Sequence, residues 1–341
     1  MISWQGNAVG LLDQTLLPRE EKEILCDTLE SLWEAIKSLR VRGAPAIGVA
    51  AAYGVVLAGE LSRAEDSETF AEEVRKGCDY LATSRPTAVN LFWALDRMRA
   101  ALEGSRGKPV SVQREALLAQ ARAIEAENNA VCEQLSAHGA KLLAEEARVI
   151  THCNAGGLAC GNYYGTALGV ILKAAESGKR VRVYVDETRP LLQGSRLTAY
   201  ELLRAGVEAT LICDNMAGHV MRTQGVDAVI FGADRIAANG DTANKIGSYS
   251  LAVLAKAHGA PLYVAAPIST IDFSLESGAQ IPIEERAPAE VTGWQGHPSA
   301  PEGVAVYNPA FDVTPAEYIT AIICEKGVCY PPFRESLGRL R

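Results

Sequence analysis

Two residues have types and surroundings suited to moving protons at a carbon or oxygen centre. Asp234 stands in GADR, directly after the run Asp227 to Phe231, which is apolar, β-branched and closed by Gly232. Such a run reads as a buried strand, so Asp234 leaves a carboxyl end, where open α/β sheets place their ligands. In a closed apolar pocket its pKa would rise and it would act as a general acid; paired with Arg235 or Lys245 it would be an ion-pair member without chemistry. Cys153, in HCNAGG, follows a second strand-like run at Val149 to His152 and precedes two glycines whose backbone can approach a ligand closely. Ringed by cations or helix starts its thiol would lose a proton; without them it is a core cysteine.

Residues suited to holding a ligand recur beside helix starts. Arg42 and Gly43 lead into Ala44, Pro45 and a stretch of small apolar residues. Proline suits a first helical turn because its missing N–H would be unpaired there. The remaining amides can hold an anion, and a neighbouring guanidinium recognises phosphate in bidentate fashion. Arg85 in SRPTAVN repeats that setting. Gln193, in the loop after the run Val181 to Val185, offers donors and an acceptor to a sugar hydroxyl, and Asn244 and Lys245 open a helical pattern. Taken singly, each is equally an ordinary surface or loop residue, and Asp241 is a turn or capping acid.

The elements that must position these residues fall into two styles. Up to Gly104 the chain is mainly helical: Thr28 to Arg40, with Thr28 and Ser31 as start signals, Ala44 to Ala58, Ser67 to Ala82 and Ala88 to Leu102, after one or two short strands within residues 1–26. A long charged helix is expected from Val110 to Ala147. From Arg148 short β-branched runs (149–152, 181–185, 209–213, 228–231, 262–265) alternate with helical patterns, the last near Ala243 to His258. That rhythm predicts an α/β fold with a doubly wound parallel sheet, whose site lies beyond the strands' carboxyl ends. The expected domains are 1–109, mainly helical; 110–147, a connecting helix; and 148–341, catalytic.

With 341 residues, 48% of them hydrophobic, the chain can bury a sizeable core. A formal net charge of -8 argues against nucleic acid as a partner but leaves room for one basic phosphate pocket. The longest apolar run, Ala44 to Ala58, is shorter than a membrane span and is expected as a buried helix. No secretory signal is visible, so a cytoplasmic protein is expected. Eight cysteines without a CxxC pair are expected as reduced thiols rather than metal ligands. After the first βα strand the glycine spacing is not GxGxxG, and GxxxxGK[ST] is absent, which disfavours a nicotinamide dehydrogenase and a nucleoside triphosphatase.

In order along the chain, RGAPAIG, SRPTAVN, THCNAGGLA, ETRPLLQGSRLTAYEL, DNMAG, GADRIAANGDTANKIGSY and NPAFDVTPAEYI resemble the methylthioribose-1-phosphate isomerases. Some of these motifs also occur in regulatory subunits of the eukaryotic translation-initiation exchange factor and in archaeal ribose-1,5-bisphosphate isomerases. The resemblance implies a Rossmann-like catalytic domain, a homodimer, and a cofactor-free, metal-free conversion of an aldose 1-phosphate to a ketose 1-phosphate in methionine salvage. It further implies Asp234 as proton donor, Cys153 at the reacting carbons, and Arg42, Gly43, Ala44, Arg85, Gln193, Asn244 and Lys245 as substrate-binding positions. Where the family usually has small or hydroxylic residues after GGLA, this chain reads CGNYYG. The alternatives are a ribose-1,5-bisphosphate isomerase and a non-catalytic subunit that binds sugar phosphate or nucleotide.

Overall fold

The computed structural model describes residues 2–86, 88–294 and 296–340. It divides into two compact units, Met1–Ala130 with Gly157–Gly165, and Val131–Gly156 with Thr166–Arg341.

The first unit opens with three antiparallel strands rather than one or two: β1 (Ile2–Trp4), β2 (Val9–Leu12) and β3 (Glu23–Cys26), with β2 central. Helix α1 (Leu29–Lys37) starts at a capping box, in which the Thr28 hydroxyl accepts the Ser31 N–H and the Ser31 hydroxyl accepts the Thr28 N–H. Helices α2 (Ala44–Leu61), α3 (Ser67–Ala82) and α4 (Val89–Gly104) follow, and α5 (Val110–Ala140) lends its first part. Thr87, inside SRPTAVN, lies outside the described residues. Helix α2 is apolar on every face, so it must be surrounded, and it is buried continuously from Ala46 to Gly59. Among the described residues it is the one helix long and apolar enough to cross a membrane, and 78% of it is buried inside the protein. Leu32 and Ile36 of α1, Phe70 and Val74 of α3, Leu91 and Leu95 of α4, and Leu117 and Ile124 of α5 pack around it. Each such side chain contributes about 1.5–3 kcal/mol on leaving water. The short helix α6 (Gly157–Cys160) joins this unit through Gln14 Nε2, which donates to the Leu158 carbonyl at 2.8 Å, and Asn128 Nδ2, which donates to the Cys160 carbonyl at 2.7 Å.

The second unit is built on a doubly wound sheet. In chain order its elements are β4 (Glu146–Thr151), α7 (Ala167–Glu176), β5 (Arg180–Asp186), α8 (Ala199–Arg204), β6 (Glu208–Ile212), α9 (Ala217–Gln224), β7 (Ala228–Phe231), β8 (Arg235–Ala237), β9 (Thr242–Lys245), α10 (Ser248–His258), β10 (Leu262–Ala265), β11 (Ile271–Asp272), α11 (Ala289–Thr292), β12 (Gly293–Trp294), β13 (His297–Pro298), β14 (Phe311–Thr314), β15 (Ala321–Cys324), β16 (Gly327–Cys329) and α12 (Phe333–Gly338). The main sheet runs β16-β15-β10-β7-β4-β5-β6, parallel except for the β15–β16 hairpin. The first parallel strand, β4, is therefore central, with β5 on one side and β7 on the other. Strand order reverses between β4 and β7, which is the topological switch point.

Three expectations need correction here. The long helix stops at Ala140, because Lys179 Nζ donates to the Ala140 and Leu143 carbonyls at 3.1 and 2.6 Å and closes its end; residues 146 and 147 already belong to β4, paired with Arg180 and Val181. Asn244 and Lys245 do not open a helix. They end strand β9, part of a small sheet ordered β11-β8-β9-β14, and α10 begins only at Ser248, after Gly247 turns the chain at φ 103°. The hairpin β15–β16, on the sheet edge, was not among the expected strands.

Candidate active site

The switch point brings Cys153 and Asp234 to one end of the sheet. Thr151 of β4 is in register with Ile230 of β7, so the segment 152–154 and the segment 232–234 leave neighbouring strands at one end of the sheet. Cys153 comes from the first and Asp234 from the second.

Cys153 is held in an unusual backbone state. Its φ is 64°, in the left-handed region that non-glycine residues seldom occupy, and such strain collects where function requires a fixed geometry. Two threonines hold it there. The Cys153 N–H donates to Thr188 Oγ1 at 2.9 Å, and its carbonyl accepts from Thr198 Oγ1 at 2.6 Å. Thr188 donates its own proton to the Asp186 carbonyl at 3.0 Å, so the clamp is anchored on β5. Asn154 Nδ2 donates to Thr198 Oγ1 at 3.1 Å and to Glu201 Oε2 at 2.6 Å, continuing the network into α8. Neither threonine stood out in the sequence, although both are hydroxyls in ETRPLLQGSRLT. The cysteine side chain is 9% exposed.

Asp234 is positioned by the hairpin that follows it. Its N–H donates to the Ala243 carbonyl at 2.9 Å, and Arg235 pairs with Ala243 across the ladder. One step back in that register, Asp234 lies beside Asn244. Its side chain is exposed rather than enclosed in an apolar pocket. Arg235 pairs with Asp272 at 3.4 Å. Asn244 and Lys245 are 5% and 8% exposed. Asn244 Nδ2 donates to Ser248 Oγ at 2.7 Å, and Lys245 Nζ stands 4.6 Å from the centre of the Phe311 ring, a cation–π contact. Asp241 is not a ligand candidate: Oδ1 accepts the Ala316 N–H and Oδ2 the Gly278 N–H, capping two short turns.

Gln193 precedes a single π-helical turn, Gly194–Thr198, an element that often marks functional sites. It is 5% exposed, and its Oε1 has no hydrogen-bond partner among the described residues. The turn needs glycine at 194, because a Cβ there would lie 1.7 Å from the Asp186 carbonyl oxygen. The guanidinium of Arg189, in the same loop, donates to the Pro190 and Val291 carbonyls at 3.0 and 2.9 Å.

The remaining positions named from sequence belong to the first unit. Gly43, at φ 92°, stands at the N-terminus of α2, no side chain caps that end, and Ala44 and Pro45 form the first turn. Arg42 is half-buried immediately before it, and Arg85 is half-buried at the turn that leads through the Ala88 N–H bond into α4.

One cluster, two of its members buried and the third half-buried, was not legible in the sequence. His152, Asp186 and Asp214 bring ligand-type atoms within 4.8 Å of one another, a spacing that could hold a metal. Their hydrogen bonds describe a scaffold instead: Asp214 accepts the Thr188 and Arg189 N–H groups, both at 2.7 Å, and both ring nitrogens of His152 are engaged, with Asp186 and with the Ile246 carbonyl. Burial disfavours a charged ring, but the hydrogen bond and charge of Asp186 and the Ile246 carbonyl outweigh it and hold the His152 pKa above its ordinary value. All eight cysteines are free thiols, and Cys213 is the exposed one.

Comparison with known proteins places this arrangement. The profile of the Initiation factor 2 subunit family matches residues 40–331. The chain is 55% identical to the 5-deoxyribose 1-phosphate isomerase of Moorella thermoacetica over 99% of its own length and 96% of that protein's. It is also 55% identical to the methylthioribose-1-phosphate isomerase of Geotalea daltonii, over 99% of this chain and 98% of the other. The crystal structure of 5-methylthioribose 1-phosphate isomerase from Pyrococcus horikoshii superposes with a TM-score of 0.95 at 45% identity, covering 99% of this chain and 94% of that one. The chain belongs to the Initiation factor 2 subunit family, within its methylthioribose-1-phosphate isomerase branch.

Proposed function

We propose that the protein converts methylthioribose-1-phosphate to methylthioribulose-1-phosphate in methionine salvage, as a cytoplasmic homodimer. The observation that carries this reading is the emergence of Cys153 and Asp234 from adjacent strands at the switch point. The names of its relatives support the substrate class.

The substrate's anomeric oxygen carries phosphate, so the ring cannot open as a free hemiacetal does. Asp234, an exposed carboxyl that bound substrate would cover, donates a proton to the ring oxygen as its bond to carbon 1 breaks; carbon 2 then loses its hydrogen and becomes the ketone while carbon 1 gains one. Two routes fit. In one, Cys153 thiolate removes the carbon 2 proton to give an enol, and the thiol returns a proton to carbon 1 while the 2-hydroxyl proton passes to the Asp234 carboxylate; in the other, hydride passes from carbon 2 to carbon 1 as the 2-hydroxyl gives its proton to the Asp234 carboxylate. Within the second unit, Lys245 is suited to a phosphate charge and Gln193 and Asn244 to sugar hydroxyls; within the first, the guanidinium groups of Arg42 and Arg85 and the α2 N-terminal amides at Gly43 and Ala44 are suited to an anion. The unpartnered, buried Oε1 of Gln193 is suited to that role.

A second substrate is favoured by the Moorella relative: 5-deoxyribose 1-phosphate, which differs only in the group on carbon 5. The test is incubation of purified protein with methylthioribose-1-phosphate, 5-deoxyribose 1-phosphate and ribose-1,5-bisphosphate, following ketose formation. Turnover of the first two is expected. Preference for the bisphosphate would replace the substrate assignment, and no conversion of any would revive a regulatory subunit. In heavy water, solvent deuterium at carbon 1 reports the enol route and its absence the hydride route.

A further inference from the structure

His152 and Asp186 are each 2% exposed, and the reaction as proposed uses neither. His152 Nδ1 lies 3.0 Å from Asp186 Oδ2, and Nε2 lies 2.9 Å from the Ile246 carbonyl oxygen. Ile246 directly follows Asn244 and Lys245. The next residue, Gly247, is packed against the ring, since a Cβ there would stand 2.8 Å from His152 Cε1. On the other side, the residue after His152 is Cys153, and Asp186 opens the segment whose Thr188 holds the Cys153 N–H. One buried ring thus touches the segment that carries Cys153, the strand end that supplies its clamp, and the segment that carries Lys245.

We propose that His152, held by Asp186, is a positioning residue that fixes the Lys245–Gly247 segment relative to Cys153, so that substrate gripped by one meets the reacting group of the other. This rests on the isomerase reading above. A carbonyl only accepts, so Nε2 must carry a hydrogen. Asp186 Oδ1 has no partner among the described residues, so the contact with Nδ1 is the side-chain bond this carboxyl makes, and with Asp186 ionised Nδ1 carries the second hydrogen. Of the charged groups on the packed elements, Asp186 at the end of β5 and Asp214 after β6 favour an imidazolium, while burial pushes up the carboxyls of Asp186 and of Asp312 on β14, and Glu187, next along the chain, acts on Asp186. The cation Lys245 on β9 has its ammonium over the Phe311 ring. The raised pKa of His152 agrees.

The test begins with the unsubstituted protein, labelled with nitrogen-15 histidine. Its NMR spectrum should contain a buried ring that keeps both protons to higher pH than an ordinary histidine does. Asp186→Asn should convert that ring to the neutral tautomer, keep the Ile246 bond, and lower kcat about tenfold. His152→Gln should lower kcat about 100-fold and raise KM, because the Lys245 segment is released. Alkylation of Cys153, read peptide by peptide, should speed up about tenfold in His152→Gln whether or not any sugar phosphate is turned over. A neutral His152 ring in the unsubstituted protein, or a His152→Gln variant with unchanged KM, kcat and alkylation rate, overturns the proposal. Absence of isomerase activity with the ring charged and the alkylation response intact would overturn the substrate reading alone.

Discussion

Thr188 Oγ1 accepts the Cys153 backbone N–H at 2.9 Å and holds a cysteine whose φ is 64°. Thr188 is itself at φ 63°, so one strained residue supports another. Thr188→Val keeps the shape and removes only the hydroxyl. Two hydrogen bonds are lost in a site with no exposure, at a cost of about 1–2 kcal/mol. Relaxation of Cys153 should reduce kcat about 10- to 100-fold with little change in KM, and Thr188→Ser should restore it. Steady-state kinetics check this; a valine variant with normal kcat would mean that the clamp is structural only.

Gly194 is fixed by space rather than by backbone angle. A Cβ would meet the Asp186 carbonyl at 1.7 Å and Thr188 Oγ1 at 2.9 Å, so Gly194→Ala must displace the π-helical turn that starts behind Gln193. Destabilisation of about 2–3 kcal/mol and a raised KM are expected, from urea unfolding and kinetics together. Gly178→Ala is the comparison: its φ is 94° but nothing lies within 4 Å, so only backbone strain of about 1 kcal/mol should appear, with normal KM. Equal effects from both would show that crowding at Asp186 is not what matters.

The doubly wound sheet was legible because its strands are written as short β-branched runs at βα spacing: 228–231 and 262–265 have their observed bounds. The places of Cys153 and Asp234 just beyond strand ends were legible for the same reason, as each follows such a run. Asn244 and Lys245 were misread because TANK carries helix-compatible residues, and only pairing with Arg235–Ile236 and with Phe311–Thr314 makes it a strand. Long-range pairing outweighs local preference there. The His152–Asp186 pair was invisible for a related reason, since the two residues are 34 apart and meet only because β4 and β5 are neighbours.

Cys153→Ser and Asp234→Asn separate chemistry from folding. Cys153→Ser changes one atom in a buried site, and Asp234 is exposed, so neither should shift stability by more than about 1 kcal/mol. Each should lower kcat by about 10²–10⁴-fold while the protein still binds substrate. Calorimetric binding of methylthioribose-1-phosphate to the two variants, set beside their turnover, checks this. Full activity in either would remove that residue from the mechanism.

Acid sensitivity should concentrate at Asp13. Its side chain is 1% exposed; Oδ1 accepts the Thr15 N–H at 2.9 Å and hydroxyl at 2.6 Å, and Oδ2 accepts from the Arg40 guanidinium. Burial acts to raise its pKa, but the bonds from Thr15 and Arg40 outweigh it and hold the carboxyl below its ordinary value of 3.8. A depressed pKa means that the stabilisation is fully present above the unfolded value, and is lost as pH falls through the lower folded one. Asp13→Asn should therefore cost about 2 kcal/mol at neutral pH, toward the low end for a charged pair because Arg40 is partly exposed and keeps Glu34 as a partner. Unfolding midpoints of the two proteins should be apart at pH 7 and draw together below about pH 4. A gap that stays constant down to acid pH would show that the lost bonds do not depend on the charge of Asp13.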